Sequence, residues 1–192
     1  MEGTILNDVM VDLETLGRRA GCVILSVGAV KFDPRTGFVD MDNTFYKSIT
    51  IESAMRYGLT IDPDTLRWWM RQTKEAQAVF NDPEAVSIQA ALVQFAEWVD
   101  EDGNYDDVKM WGNGASFDNP ILSAGFAAVD IIQPWQFWND RCYRTKKAEH
   151  REVPFNRVGL AHNALDDAVS QAHHLCAILA AGRTPQSIAT KG

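Results

Sequence analysis

The stretch from Val9 to Gly17, VMVDLETLG, decides how this chain is read. Its apolar residues predict a buried strand from about Asp8 to Thr15. Asp12 and Glu14 interrupt that strand. Successive strand side chains alternate, so Val9, Val11 and Leu13 share one face, and Asp8, Met10, Asp12 and Glu14 the other. The two carboxylates then lie about 6.6 Å apart by Cα rise. Like charges on a half-buried face repel and resist desolvation. Either that face is exposed or paired with Arg or Lys, or it serves a divalent metal, because hard cations take carboxylate oxygens.

Working outward, CVILSVGAVKF (Cys22 to Phe32) predicts a second strand, β-branched and almost wholly apolar. DPRTG (Asp33 to Gly37) is a turn signal, and TFYKSITI (Thr44 to Ile51) a third strand. Short links between the three predict an antiparallel meander. Helices follow. Asp62 is the expected N-cap and Pro63 the first residue of a helix whose apolar face is Leu66, Trp69 and Met70. Ile88, Ala91, Leu92, Phe95, Trp98 and Val99 recur at helical spacing, so Ser87 to Glu101 reads as amphipathic. VKMWG (Val108 to Gly112) is a fourth strand, followed by a helix through Ile121 to Ala128. Trp138 and Asp140 are expected to end a fifth strand. Leu165, Ala168, Ala172, Leu175 and Leu179 define the last helix, and the tail from 183 to 192 is expected to be loose. Three strands, helices, a strand and more helices make an α/β layered fold with a mixed sheet.

The 192 residues, 46% hydrophobic and 23% charged, fit one globular domain spanning 1 to 192, with its core at about 8 to 180. No apolar run reaches the roughly 18–20 residues that span a membrane. MEGTILND has no basic n-region or signal-peptide core, so a cytoplasmic protein is expected. Cys22, Cys142 and Cys176 are far apart, odd in number and read as reduced packing residues. The net charge of −8 disfavours long tracking along nucleic acid, which needs a wide basic surface. It suits a site that collects divalent cations.

Two more places supply acid. In WGNGASFDNPIL the glycines allow a sharp turn, and Asp118 stands where the next helix begins. A helix-start role and a functional role are both open for it. In LAHNALDDAVSQAHHL, Asn163 caps the last helix, and Asp166 three residues on takes the place of the usual Glu or Gln of a capping box. Asp167 is one helical step away, beside the apolar stripe, and His162 lies just before the helix. His173 and His174 are adjacent on the helix, point about 100° apart and read as solvated.

The ordered set Asp12-x-Glu14, Asp118 and His162-x4-Asp167 resembles the DEDDh 3′–5′ exonucleases, the superfamily of the proofreading epsilon subunit and ribonuclease T. DLETLG, GCVILSVGAVKFDP, TIDPDTLRWWM, WGNGASFDNPIL, FWNDRCYRT and AHNALDDA are most similar to the exodeoxyribonuclease VIII-like group, which includes phage exonucleases and a mycobacterial-type exoribonuclease branch. The resemblance covers residues 8 to 180. It implies a ribonuclease H-like, five-stranded mixed sheet whose first three strands are antiparallel. It implies that Asp12, Glu14, Asp118 and Asp167 hold two Mg²⁺ or Mn²⁺ ions that brace the scissile phosphate. His162 would be the general base. The product would be a nucleoside 5′-monophosphate taken from a 3′ end.

The resemblance also places Thr15 and Leu16 against the terminal nucleotide, Leu16 wedging on its base. Asn113, Ser116 and Phe117 line the Asp118 loop, where Phe117 either stacks on a base or joins the core. Trp138 lies beside the site, and Arg141 and Arg144 are candidate phosphate contacts. Trp68 reads as core or as a homodimer contact rather than a substrate wall. The expected substrate is single-stranded DNA, with exoribonuclease activity on RNA as the alternative. A non-catalytic nucleic-acid-binding or assembly module is the contrasting class; loss of an acid or of His162 would have favoured it.

Overall fold

The computed structural model describes residues 6–101, 103 and 105–183. The chain opens with three strands, β1 (Asp8–Thr15), β2 (Ile24–Asp33) and β3 (Phe38–Ser48). Five helices and one strand follow: α1 (Ile51–Arg56), α2 (Pro63–Trp69), α3 (Lys74–Gln77), α4 (Ile88–Val99), β4 (Lys109–Gly112) and α5 (Asp118–Ala128). The last elements are β5 (Asp140–Cys142), α6 (Tyr143–Glu149) and α7 (Ala164–Arg183). The sheet order is β3-β2-β1-β4-β5. β1 pairs antiparallel with β2, and β2 antiparallel with β3, while β1–β4 and β4–β5 are parallel. This is the mixed five-stranded sheet expected, with its first three strands antiparallel.

Alternation along β1 sorts the core into two layers. Val9, Val11 and Leu13 pack with Leu92, Phe95, Ile121 and Phe126 of α4 and α5 on one face. Met10 packs with Val30, Phe32 and Trp111 against Ala168, Ala172 and Leu175 of α7 on the other. The face carrying Asp12 and Glu14 is therefore the α7 face. α7 approaches β2 so closely that a Cβ at Gly28 would meet the backbone of Ala164 and Leu165. Only glycine allows that approach, and it brings the first turn of α7 to the middle of the sheet.

Several boundaries differ from the sequence reading. β2 starts at Ile24, because Cys22 leaves the ladder to bridge Thr60. β3 starts six residues earlier than expected and stops at Ser48, since Ile49 bridges Val86 and α1 begins at Ile51. Hydropathy hid the first half of β3, an edge strand whose Phe38 and Met41 are exposed. The expected apolar face of α2 is also corrected. Trp69 is buried, but Met70 is 73% exposed, and Leu66 and Trp68 face outward. α2 has seven residues and is held by one anchor, the Trp69 indole N–H donating to the Thr15 carbonyl at 2.8 Å. Asp62 does cap it, accepting from the Asp64 N–H at 2.8 Å. Trp138 is not in β5; it lies in a short 3₁₀ turn (Phe137–Asn139) ahead of that strand. Cys22, Cys142 and Cys176 are free thiols, as expected. The expected loose tail lies outside the described residues apart from Arg183, which ends α7. Among the described residues no helix is long and apolar enough to cross a membrane.

Candidate active site

β1 delivers Asp12 and Glu14 to the α7 face near its C-terminal end. The β1–β2 register shifts between Glu14 and Thr15, an irregularity that re-aims the end of the strand beside the site. The Gln171 side chain, four residues after Asp167 on α7, donates to Asp12 Oδ1 at 2.6 Å. Its own Oε1 is buried with no hydrogen-bond partner among the described residues.

Asp118 comes from the first turn of α5 and is 1% exposed. Oδ1 accepts from the Leu13 N–H at 3.3 Å, and Oδ2 from the Asn113 N–H at 2.6 Å. The close approach needs Gly112: a Cβ there would fall 2.9 Å from the Asp118 Cβ and 2.5 Å from Asn119 Oδ1.

Asp167 sits in the first turn of α7. Oδ2 accepts from the His162 N–H at 3.0 Å, and Arg157 pairs with Oδ1. His162 is one of two non-glycine residues among those described that take a positive φ, at 64°. Its ring stands edge-on to Trp68, with centroids 5.0 Å apart, and packs against Trp69 at 6.3 Å. Ligand atoms of Glu14, His162 and Asp167 lie within 4.8 Å of one another.

The electrostatics follow from burial and mutual repulsion. Desolvation, then the charges of Asp118, Glu14 and Asp167, hold Asp12 well above the usual carboxylate range, against the Gln171 hydrogen bond. Burial, then Asp167 and Asp118, push Glu14 up to about 8, with Arg157 opposing. Burial raises Asp118 to about 6, with the N–H groups of Asn113 and Leu13 and the charge of Arg144 pulling the other way. Arg157 at Asp167 and the charge of Arg144 offset the four carboxylates only in part. Hard carboxylate oxygens, an imidazole and an unsatisfied buried amide oxygen form a donor set that fits Mg²⁺ or Mn²⁺.

The cluster forms the floor of a cavity of about 440 Å³. Asp12, Glu14, His162 and Asp167 line it, with Asp118 buried behind Leu13. Thr15, Asn113, Phe117 and Arg144 line it as well. The other expected contacts do not. Leu16 is fully buried in the α4/α5 core, because its backbone is locked to Val23 and Asp62; Leu13 borders the cavity, but its side chain is buried in that same core. Ser116 is exposed and does not line the cavity. Trp138 is outside the cavity, stacked edge-on against Phe137. Arg141 points back to the carbonyls of Trp138 and Asp140. Trp68 is a cavity wall rather than core, 40% exposed beside His162.

Two local assignments also change. Asn163 caps α7 through the N–H groups of Leu165 and Asp166, but the Asp166 carboxylate accepts from Leu160 N–H instead of closing a capping box. His174 is buried, not solvated: it bonds the Tyr143 hydroxyl at 2.7 Å and the Val153 carbonyl at 3.0 Å. The sequence reading missed Gln171, Arg157, Lys147 and Phe155. Gln171 had a signal, since it stands one helical turn after Asp167. Arg157 had none, because an irregular segment brings it back to Asp167 across ten residues.

A family model described as the 3′-5′ exoribonuclease Rv2179c-like domain matches residues 7–179. The exodeoxyribonuclease of Enterobacteria phage T4 is 26% identical over 165 residues, covering 72% of this chain and 70% of that protein. Among solved structures, the nuclease domain of 3′hExo, a DEDDh family member bound to rAMP, aligns with TM-score 0.59 and 13% identity. That alignment covers 93% of this chain and 94% of the other. Pop2p of S. pombe, in a form with Mg²⁺ and Mn²⁺ bound, aligns with TM-score 0.58 and 14% identity over 90% of this chain and 82% of the other. By fold, a mixed five-stranded sheet flanked by helices, the chain is in the class of the DEDDh nuclease domain of 3′hExo. Within that class, the chain belongs to the 3′-5′ exoribonuclease Rv2179c-like domain family.

Proposed function

We propose that this protein is a two-metal 3′–5′ exonuclease that shortens single-stranded nucleic acid and releases nucleoside 5′-monophosphates. The observation that carries this reading is the convergence of Asp12, Glu14 and Asp167 on one cavity floor, with Asp118 behind it and three of the four carboxylates destabilised as anions. Such an arrangement is costly unless cations complete it. Asp12, Glu14, Asp118 and Asp167 would hold two Mg²⁺ or Mn²⁺ ions. When bound, such a pair lowers the pKa of an attacking water and offsets charge on the phosphate and the departing oxygen.

The chain's own residues supply the rest. Gln171 orients Asp12, and the amides of Leu13 and Asn113 orient Asp118. His162 accepts the proton of the attacking water, its ring held by Trp68 and by the backbone bond to Asp167. Trp68 and Phe117 offer aromatic surface for the terminal base.

RNA is the first substrate reading, because the family description that spans residues 7–179 is an exoribonuclease. DNA, the expectation from sequence, is supported by the name of the phage relative. Matched 5′-labelled RNA and DNA single strands, free or capped with a 3′-phosphate, test polarity and sugar together. The expected result is a ladder shortening from the free 3′ end, faster for RNA, and blocked by the cap. Rapid internal cutting of circular strands would overturn the exonuclease reading.

A further inference from the structure

The cavity has a second chemistry besides its acid floor. Arg144 and Lys147, three residues apart on α6, line it together with Arg157. Arg157 is committed to Asp167. Arg144 makes one long hydrogen bond, its Nε donating to the Asn113 side-chain oxygen Oδ1 at 3.5 Å. Lys147 sits over two rings, with its ammonium 4.7 Å from the Phe155 centroid and 5.9 Å from that of Tyr143. Among the described residues no carboxylate pairs with Lys147. Its neighbour Lys146 differs: it lies outside the cavity and bonds Glu149 at 3.0 Å.

An ammonium without a counter-anion is unexpected in a chain of net charge −8. The ring faces fix its position by cation–π attraction but leave its N–H donors unspent. Arg144 and Lys147 are both exposed, and the contacts to Asn113 and Phe155 set the two α6 cations at the rim of the cavity that holds the acid floor. Anything entering the cavity thus meets a site for one phosphate at the carboxylate cluster and separate donors for a second anion on α6. In a polynucleotide entering by its 3′ end, that second anion is the next phosphodiester.

We infer that Lys147, with Arg144, forms a subsite for the phosphodiester immediately 5′ of the one cleaved. The protein then selects chains with at least two phosphodiesters over a substrate with one. This rests on the exonuclease reading above. Phosphate contacts of this kind position a substrate without reading its sequence.

The test compares kcat/KM on a dinucleotide with one phosphodiester and a trinucleotide with two, in whichever sugar series the wild type cleaves faster. The wild type should gain about tenfold or more from the added phosphodiester, in keeping with a charge-assisted hydrogen bond. Lys147→Gln should lose most of that gain, Lys147→Arg should restore it, and Lys146→Gln should keep it. On longer strands, Lys147→Gln should also flatten the log–log salt dependence by about 0.7. A Lys147→Gln variant that keeps the full gain overturns the subsite. So does one that loses equally on both substrates, because Lys147 would then act at the reacting phosphate or on the fold. A wild type that shortens longer strands but cleaves neither short substrate overturns the subsite alone, and one that shortens no strand overturns the exonuclease reading and the subsite with it.

Discussion

The backbone N–H of Leu13 donates to Asp118 Oδ1 at 3.3 Å, so the amide that separates Asp12 from Glu14 also holds the acid arriving from α5. One strand residue thus ties three carboxylates to a common frame, and its side chain anchors that frame in the α4/α5 core. Asp118→Asn tests whether the charge or only the hydrogen bonding matters. The amide oxygen keeps one of the two backbone bonds and removes a buried negative charge. Melting temperature should stay within about 4 °C of wild type, roughly 1 kcal/mol for a chain of this size. Turnover should fall by at least about 10³, because charge compensation by a metal is worth several kcal/mol. Near-normal turnover would show that Asp118 is only a structural residue.

The raised carboxylates make the metal-free protein sensitive to pH. Glu14 at about 8 and Asp118 at about 6 bind protons more tightly folded than unfolded. Between the ordinary carboxylate range and about pH 8, the native state therefore carries more protons. Stability must fall as pH rises through that window. Urea titrations of EDTA-treated protein should show lower stability at pH 8 than at pH 6. Saturating Mn²⁺ should flatten the difference, since bound cations favour the anions in the native state. A metal-free protein that is equally stable at both values would contradict the repulsion described for this cluster.

Asp166 and Asp167 are neighbours with separate duties. Asp166 accepts from the Leu160 N–H, whereas Asp167 faces the cavity between Arg157 and the His162 amide. Asp166→Asn should cost about 1 kcal/mol and keep its activity. Asp167→Asn should fold and lose turnover. Paired melting and kinetic measurements check both, and a dead Asp166→Asn with a working Asp167→Asn would reverse the assignment.

His162 combines a left-handed backbone with a ring fixed by Trp68. His162→Ala should lose about 10²–10⁴ in kcat, the usual contribution of a positioned general base. His162→Gly should be equally inactive yet at least as stable as the alanine variant, because glycine takes a positive φ without penalty. Retained turnover in either variant would remove His162 from the proton transfer.

Much of this could be read from the sequence because the signals are local. Alternation in VMVDLETLG fixed which β1 residues share a face, and Asp12 and Glu14 do lie together on the α7 side. The antiparallel meander of the first three strands followed from their short connections, whereas the placing of β4 and β5 beside β1 had no local signal. Where the reading failed, long-range packing overrode pattern. Leu16, just past the end of β1, was expected at the cavity, and the backbone bonds to Val23 and Asp62 turn it into the core instead. Met70 matched the helical spacing of α2, but the helix stops at Trp69 and leaves it in solvent. His174 looked solvated beside His173 until α6 supplied Tyr143 as a partner. Arg157 and Lys147 reach the cavity through irregular or short segments with no periodicity to mark them.

Counting the Mn²⁺ ions bound per chain by electron paramagnetic resonance, with a nucleoside 5′-monophosphate present, tests the central claim most directly. Asp12, Glu14, Asp118 and Asp167 acting together predict two ions per wild-type chain and a loss of binding in Asp12→Asn. A wild type that binds no more Mn²⁺ than Asp12→Asn would contradict it.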